Sequence, residues 1–318
     1  RILKQNNFNK LIEKYDHILV DSGIESKNIQ ALLKLINILD DKNFSRDGII
    51  VALGGGVIGD ISALLASIYY RGIGLIHVPT TMTSVVDSCI GGKTGINHNN
   101  KVNLLGTYYH PNAIFVDINF LLSLSERDFN AGMCESIKKG LIYNKNLFQF
   151  INKNYSKIIK RDIKTLETVV EQSISIKLEL TTSDTFEKSN RLLLNFGHTF
   201  GQAIESYFKI NQKIARHGEA VSIGMLFDIK LAEYLNIKSS SQIRVHLINI
   251  LTKFNLPVKI SELSKSKINQ SSLLENIFKD KKRLIGGSRF IIPTKIGNGK
   301  IVTFNDKKVL KKIISSLI

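Results

Sequence analysis

The sequence predicts a protein of the α/β class, with an α/β domain over residues 1–124 and a mainly α-helical domain over residues 125–318. In the first part, short apolar runs alternate with stretches of helical spacing, the order that builds a mostly parallel sheet covered by helices. From Ser125 onward, apolar residues recur at helical spacing between polar connectors. A chain of 318 residues is long enough for two hydrophobic cores.

Strands and helices alternate in the first part. Residues 15–20, 48–53, 74–78 and 113–116 are short apolar runs typical of strands. Helices are predicted over residues 29–39 and from the glycines after residue 53 through Tyr70. The polar stretch 84–103 contains Gly91-Gly92-Lys93-Thr94-Gly95 but lacks the first glycine of a P-loop, which argues against an ATPase.

One glycine-rich turn has the spacing of a nucleotide-binding motif. Gly54, Gly56 and Gly59 keep the Gly-x-Gly-x-x-Gly pattern, with a predicted strand before them and a predicted helix after them. In that setting, backbone N–H groups at the helix N-terminus can bind a pyrophosphate. The first domain is therefore predicted to be a Rossmann-like nucleotide-binding domain.

The second part reads as a series of helices. Ser125, followed by Glu126, is typical of a helix start. Helices are predicted over residues 128–143, 146–152, 163–181, 199–207, 219–235, 241–254 and 272–278, and strands over 288–293 and 300–303. The cleft between the two parts is the expected place for a binding site.

Composition limits the classes of partner. The net charge of +17 fits either nucleic acid or a small anionic substrate. The lysines are spread along the chain, and no basic block alternates with aromatic residues as in single-strand binders, so the small substrate is favoured and nucleic acid is not expected. No apolar run approaches the roughly 18 residues of a membrane span. Cys89 and Cys134 form no disulfide framework, which suits the cytoplasm.

Two histidines suggest a metal site. His198 follows a glycine and His217 precedes one, each at the start of an apolar, helix-like run. Two imidazoles with one carboxylate are a common ligand set of a catalytic zinc that keeps one coordination position open. Their separation fits no short zinc motif, so a third ligand must come from elsewhere in the chain. Taken alone, a helix cap and a core histidine are equally good interpretations.

Eight sequence blocks, taken together, carry a family resemblance. They are Ala52-Leu-Gly-Gly-Gly-Val-Ile-Gly-Asp60, Tyr70-Arg-Gly-Ile73, Val78-Pro-Thr-Thr81, Val86-Asp-Ser88, Gly91-Gly-Lys-Thr-Gly-Ile-Asn97, Ala131-Gly-Met-Cys-Glu135, Asn195-Phe-Gly-His-Thr-Phe-Gly201 and His217-Gly-Glu-Ala-Val221. In this order they resemble the 3-dehydroquinate synthase family, within the wider group of sugar phosphate cyclases.

The resemblance implies a two-domain lyase, a homodimer, that binds NAD and one divalent metal, zinc or cobalt. Enzymes of this family convert 3-deoxy-D-arabino-heptulosonate 7-phosphate into 3-dehydroquinate and phosphate, in the shikimate pathway to aromatic amino acids. NAD oxidises a substrate hydroxyl, phosphate leaves by β-elimination, and the NADH formed reduces the ketone again. The cofactor is regenerated, so no net oxidation is expected.

The resemblance also assigns residues to the metal and the cofactor. It places the metal ligands at Glu135, His198 and His217. The NAD residues that it implies are Gly55, Gly56, Val57, Ile58, Gly59 and Asp60 on the glycine turn, Thr80, Thr81 and Lys93, and also Asp21, Phe120 and Ser123. Asp21 opens a loop that corresponds to the family's adenosine-ribose loop.

The remaining implied residues serve the anionic substrate. Arg191 corresponds to an arginine that pairs with the substrate carboxylate, for which its planar fork is suited. Arg71 corresponds to an arginine that reaches the phosphate from the partner subunit. The other residues implied for substrate binding or catalysis are Lys93, Asn103, Lys138, Lys177, Asn195, Gln202, Lys281, Asp87, Asp184 and Glu187.

Two departures from the family pattern leave alternatives open. Gln202 stands where the family has a histidine, and glutamine cannot take up a proton at neutral pH. Val102 stands where the family has a lysine. The alternatives are a cyclase like 2-deoxy-scyllo-inosose synthase, which takes glucose 6-phosphate, a related metal-dependent NAD alcohol dehydrogenase, and an NAD-binding protein without turnover.

Overall fold

The computed structural model describes residues 14–21, 23–99, 101–210, 215–264, 268–279 and 288–318. Its α/β part contains a three-stranded parallel sheet in the order β1-β2-β5. The elements of this part are α1 (Ile29–Asp41), β1 (Ile49–Gly54), α2 (Gly56–Ile68), β2 (Gly74–Pro79), β3 (Ile96–His98), β4 (Lys101–Leu105), β5 (Ala113–Ile114) and α3 (Asn119–Leu122).

The parallel register brings the segments that follow the strands to one edge of the sheet. Val51 lies opposite Ile76 across β1 and β2, and Ile76 lies opposite Ala113 across β2 and β5. All three strands therefore end at the same edge, where the glycine turn, the turn after Pro79 and helix α3 follow them. Ligands of open α/β sheets bind at this carboxyl edge.

One strand prediction for this part was wrong, and one hairpin was not predicted. Residues 15–20 form no strand and pair with none of the described strands, and Leu19 is 76% exposed. Strand β3 lies within the polar stretch 84–103 and pairs with β4 in an antiparallel hairpin. Ile96 on this hairpin is fully buried against Leu32 and Leu35 of α1, so packing onto that helix fixes the hairpin.

The second part is mainly helical, as predicted. Its elements are α4 (Glu126–Ile142), α5 (Lys145–Lys153), α6 (Tyr155–Ile159), α7 (Ile163–Ser183), α8 (His198–Ile210), α9 (His217–Tyr234), α10 (Ser240–Lys253), α11 (Gln270–Lys279), β6 (Ser288–Lys295), β7 (Asn298–Phe304) and α12 (Lys307–Ser315). No described helix is both long enough and apolar enough to cross a bilayer.

Glycines let helix α9 press against its neighbours. A Cβ on Gly218 would lie 1.8 Å from the carbonyl oxygen of Ala131 in α4, and one on Gly224 would lie 1.9 Å from that of Gly197. Neither position tolerates a side chain. The contact at Gly218 places the first turn of α9 beside α4. The contact at Gly224, two turns further along, places α9 beside the turn that leads into α8. Together they set the positions of the metal-site helices.

Candidate active site

Three side chains from three helices form the predicted metal site. Glu135 lies within α4, while His198 and His217 are the first residues of α8 and α9. His217 Nε2 lies 3.3 Å from Glu135 Oε1, and His198 Nε2 lies 3.9 Å from the same oxygen. One ligand atom from each residue lies within 4.8 Å of the others. The structure thus brings together three residues that are far apart in sequence.

The donor atoms fit a divalent cation. Phe196 O lies 3.2 Å from His198 Nδ1, and both Glu205 oxygens lie 3.2 Å from His217 Nδ1. With each Nδ1 engaged in this way, Nε2 is the nitrogen of each ring that faces Glu135 and can bind a metal ion. The Glu135 oxygens are fully buried and accept no well-directed hydrogen bond, although Lys138 Nζ lies 2.5 Å from Oε2. Two imidazoles and one buried carboxylate are a donor set that fits a divalent cation.

Burial and charge act differently on the two histidines. Burial lowers the pKa of His198 to about 3, with Lys138 adding to the shift. Burial also disfavours charge on His217, but Glu205 and Glu135 outweigh it and raise the pKa of His217 to about 10. For Glu135, burial is outweighed by Lys138 and the histidines, so its pKa lies below the usual range. The two carboxylates therefore attract positive charge to the His217 ring, whether a proton or a metal ion.

A network of lysines and Asp87 adjoins the metal site. Asp87 lies on a π-helical turn, Ser84–Ser88, which follows β2. Lys177 Nζ of α7 donates to Asp87 Oδ1 at 2.8 Å, and Lys139 Nζ of α4 lies 3.2 Å from the same oxygen. These lysines hold the pKa of Asp87 well below its usual range in spite of burial. A turn of the α/β part thereby bonds to two helices of the second part.

The glycine turn at the start of helix α2 is in close contact with the segment that follows β2. Gly55 is the extended residue before the helix, and a Cβ there would lie 2.8 Å from Thr81 Cγ2. A Cβ on Gly56 would lie 3.1 Å from Ser88 Oγ. The turn therefore packs against the segment that carries Thr80, Thr81 and Asp87, and leaves the first N–H groups of α2 without intrahelical partners.

Phe120 and Ser123 reach the same edge of the sheet, because α3 follows β5. Phe120 is buried, and the Ser123 hydroxyl donates to its carbonyl at 2.9 Å. Asp21 lies exposed ahead of the short helical turn Ile24–Ser26. Val57, Ile58 and Gly59 lie in the first turn of α2.

A buried lysine joins two of the predicted residues. Lys27 Nζ donates to Asp60 at the start of α2 and to the side chain of Asn103 in β4. Burial raises the pKa of Asp60, and Lys27 opposes this shift. Lys27 was not predicted as a site residue.

Side chains of the two parts form a hydrogen-bonded group of Lys93, Glu187 and Asn195. The Glu187 carboxylate accepts from Lys93 and, at 2.6 Å, from Asn195 Nδ2. Burial lowers the pKa of Lys93 against the attraction of Glu187, and the nearby Lys177 and Arg191 lower it further. Three predicted substrate residues are thus joined by hydrogen bonds.

Arg191 is buried and held by the backbone. Its Nη2 donates to Gly91 O at 2.9 Å and its Nη1 to Thr185 O at 2.5 Å. Asp184 accepts from the backbone N–H groups of Lys188, Ser189 and Arg191. The observed role of Asp184 is therefore to shape the loop that presents Arg191.

Two predicted residues lie apart from these contacts, and a third is outside the part of the chain that the structure describes. Arg71 is exposed, with φ +65°, on the turn Tyr69–Arg71. Gln202 is exposed, one turn beyond His198 on α8. Lys281 lies outside the described residues.

Lys27, Lys139 and Glu205 are polar residues of the site that the sequence analysis missed. Each had a local signal: Lys27 directly follows the predicted ribose loop, Lys139 is adjacent to Lys138, and Glu205 lies two helical turns after His198 on the same face.

Comparisons with known proteins agree with this geometry. Residues 17–131 match the family model of the 3-dehydroquinate synthase N-terminal domain, and residues 132–283 match that of the C-terminal domain. The chain is 41% identical over 300 residues to the 3-dehydroquinate synthase of Dictyoglomus turgidum, covering 93% of this chain and 81% of the relative.

Solved structures of sugar phosphate cyclases share the fold. The 2-epi-5-epi-valiolone synthase of Streptomyces hygroscopicus, with NAD+ and Zn2+ bound, superposes with a TM-score of 0.88 at 24% identity, covering 100% of this chain and 88% of that one. A 2-deoxy-scyllo-inosose synthase complexed with carbaglucose-6-phosphate, NAD+ and Co2+ gives 0.78 at 27% identity, covering 95% and 83%. Since both family models match in order, and a 41% identical relative matches over nearly the whole chain, the chain belongs to the 3-dehydroquinate synthase family.

Proposed function

We propose that this chain is a 3-dehydroquinate synthase, which converts 3-deoxy-D-arabino-heptulosonate 7-phosphate into 3-dehydroquinate and phosphate. The observation that carries the proposal is the convergence of Glu135, His198 and His217 beside a set of cationic side chains, in a chain of this family. The metal donors suit a substrate with neighbouring hydroxyls, and the cations suit an anionic one.

NAD and one divalent metal are the proposed cofactors. The glycine turn and the first residues of α2, residues 55–60, would hold the NAD pyrophosphate, with Thr80 and Thr81 beside it. Glu135, His198 and His217 would hold zinc or cobalt. When bound, NAD supplies a reversible hydride acceptor, and the metal ion lowers the pKa of the substrate hydroxyls that it binds. We also propose that residues 1–124 form the NAD domain and residues 125–318 the metal domain.

The charged side chains of the cleft would bind the substrate anions. Arg191 keeps N–H groups beyond the two bonded to carbonyl oxygens, and these would receive the carboxylate. Lys93, Lys177 and Asn195 would supply donors in the same cleft, and Lys138 would stay paired with Glu135. Lys93 and Asn195 donate to the Glu187 carboxylate in the structure. The substrate would take the place of this carboxylate as their acceptor.

The assembly and compartment are further proposals. We propose a homodimer in the cytoplasm. An exposed arginine on a surface turn, as Arg71 is, can reach the phosphate site of a partner subunit. Cys89 and Cys134 are free and buried, which suits a reducing compartment.

A substrate-choice assay tests the function. Purified protein with NAD and zinc or cobalt is given the heptulosonate phosphate and, separately, glucose 6-phosphate, while phosphate release and NADH absorbance are followed. We expect phosphate release from the heptulosonate phosphate alone, without net NADH. Preference for glucose 6-phosphate would indicate an inosose synthase, and net NADH would indicate a dehydrogenase. Release from neither substrate would also overturn the proposal.

A further inference from the structure

Lys139 is a fully buried lysine with a defined set of partners. Its side chain has no exposed surface, and its Nζ donates to Val86 O and lies 3.2 Å from Asp87 Oδ1. Val86 and Asp87 are neighbours on the π-helical turn Ser84–Ser88, so one ammonium group ties helix α4 to this turn at two points. Helix turns of this type are often found at functional sites.

A buried ammonium group is costly unless its partners compensate. Removing it from water costs several kcal/mol, which only good partners offset. The charged groups around Lys139 are Asp87 on the π-helical turn, Lys177 on α7, and Glu135 and Lys138 on its own helix. Burial lowers the pKa of Lys139 to about 8, while Asp87 favours its charged form. Packing alone does not explain why a charged ammonium group stands at this buried position.

The bonding of Asp87 indicates what Lys139 does. Lys139 and Lys177 both approach Oδ1, whereas no group among the described residues donates to Oδ2. Asp87 is 19% exposed, compared with 0% for Lys139 and 9% for Lys177, so the accessible part of the network is the carboxylate. Oδ2 is therefore the acceptor left for a ligand.

We propose that Lys139 is a positioning residue: it neutralises and fixes Asp87 from the buried side, so that Oδ2 accepts a substrate hydroxyl and Lys177 stays available for the substrate anion. Lys177 has three N–H donors, and one is bonded to Asp87. Without Lys139, Lys177 would be the one described lysine still bonded to Asp87. This inference rests on the proposed function for its substrate.

The experiment is a double-mutant cycle between Lys139 and Asp87. Lys139→Met, Asp87→Asn and the double variant are compared with the wild type in two assays. One is phosphate release from the heptulosonate phosphate by the holoenzyme. The other is calorimetric binding of that substrate to metal-loaded protein without NAD, where oxidation cannot start. Lys139→Met should lower kcat/KM and weaken binding by about tenfold or more, the range for hydrogen bonds to charged groups.

The cycle separates positioning from folding. Because Lys139 acts through Asp87, Lys139→Met should have little further effect in the Asp87→Asn background. An equally large loss there, or unchanged binding and kcat/KM in the single variant, would overturn the proposal. The melting temperature of Lys139→Met should fall, because Asp87 and the Val86 carbonyl each lose a buried partner, so both assays are run well below that temperature. If Lys139→Met does not fold, the same cycle with Lys139→Gln decides by the same criteria.

Lys230→Met is the matched control. Lys230 is a partly buried lysine on α9 whose charged neighbours are Arg244 and Glu233, and its substitution should leave kcat/KM unchanged. A wild-type protein that releases no phosphate would count against the proposed function. Phosphate release by the wild type, with Lys139→Met equal to it, would count against the role of Lys139 alone.

Discussion

His217 presents Nε2 to Glu135 because Glu205 accepts from Nδ1 on the other side of the ring. A carboxylate in this position fixes the tautomer and makes the imidazole a better ligand. We therefore expect Glu205→Ala to weaken divalent metal binding by about 10- to 100-fold. Competition with a chelating dye measures this affinity, and the visible absorption of the cobalt-loaded protein reports the geometry of the site.

Two variants make this prediction specific. Glu205→Gln keeps an acceptor for Nδ1–H without the charge, so it should recover part of the affinity. Glu233→Gln changes a carboxylate on α9 that pairs with Arg244, and metal affinity should not change. Equal metal affinity in Glu205→Ala and the wild type would show that Glu205 does not orient His217.

Single-residue assignments could be predicted where the family resemblance marked them, inside the sequence blocks or at fixed spacing from them. The family blocks marked Glu135, His198 and His217, and the structure brings these three together. Lys27, Lys139 and Glu205 were missed because position next to a predicted residue was their only local signal. Lys27 and Lys139 look like any of the 44 lysines and arginines of the chain. Their burial depends on contacts between distant segments, which the sequence pattern does not show.

At the scale of elements, the loop before Arg191 depends on one ionised carboxylate. Hydrogen bonds from backbone N–H groups, that of Lys188 foremost, lower the pKa of Asp184 to about 2 against the effect of burial. Because this pKa lies below the unfolded value of about 3.8, the stabilisation is present above about pH 4 and is lost as the pH falls toward 2.

Asp184→Asn should therefore lower the free energy of unfolding at pH 7 and have a smaller effect at pH 3. Urea unfolding of the two proteins at both pH values measures the difference. Asp162→Asn is a useful comparison, because Asp162 also has a lowered pKa but caps helix α7 away from this loop. An equally large difference at pH 7 and pH 3 would contradict the linkage to Asp184.

The close contact between α9 and α4 makes Gly218 intolerant of a side chain. A Cβ there would lie 1.8 Å from Ala131 O, a backbone atom that cannot rotate away. Gly218→Ala should cost about 1–3 kcal/mol of stability or more, as overpacking does, and should also weaken metal binding because His217 is adjacent.

Thermal unfolding and the same chelator competition measure both effects. Gly59→Ala is the control, because the nearest atom to its Cβ would be His77 Cε1 at 3.6 Å and alanine favours a helix. A Gly218→Ala protein as stable as the wild type would mean that α9 can shift away from α4.

The helices of the second part were predicted to within a few residues because their periodicity and start signals agree. Ser125 accepts from the N–H of Asp128 and begins α4, as its sequence indicated. Helices α6 and α12 of this part were not predicted, and neither were α3 and the hairpin of β3 and β4. The hairpin is short and polar, and its position comes from Ile96 packing against α1 rather than from its own pattern.

At the scale of the whole molecule, Arg191 joins the two parts across the cleft. It lies on the helical turn Asn190–Asn195 and bonds to Gly91 of the α/β part. Arg191→Ala should raise the transition-state free energy for the carboxylate substrate by about 2–5 kcal/mol, the range for losing a buried charge partner. Measuring kcat/KM and the melting temperature of the same variant separates the loss of substrate binding from the loss of the contact between Arg191 and Gly91.

Arg191→Lys is the informative companion variant. Lysine keeps the charge but cannot form a bidentate pair with a carboxylate, so it should recover stability more than activity. An unchanged kcat/KM in Arg191→Ala would remove Arg191 from the substrate site.

The order of the two parts could be predicted, because alternation of strand and helix gives way to helical spacing near residue 124. The contacts between the two parts could not be predicted, because Lys93, Glu187 and Asn195 come together only after both parts have packed. The family resemblance made these residues candidates without indicating that they bond to one another.

The metal donors come from three separate helices, so occupancy of the site is linked to folding by mass action. An ion that binds the folded chain and not the unfolded one adds about 2.7 kcal/mol at a free concentration 100 times its dissociation constant. Metal scarcity in a cell would then remove part of the folding free energy together with the catalytic group. Protein abundance, and not only activity, would follow the supply of the ion.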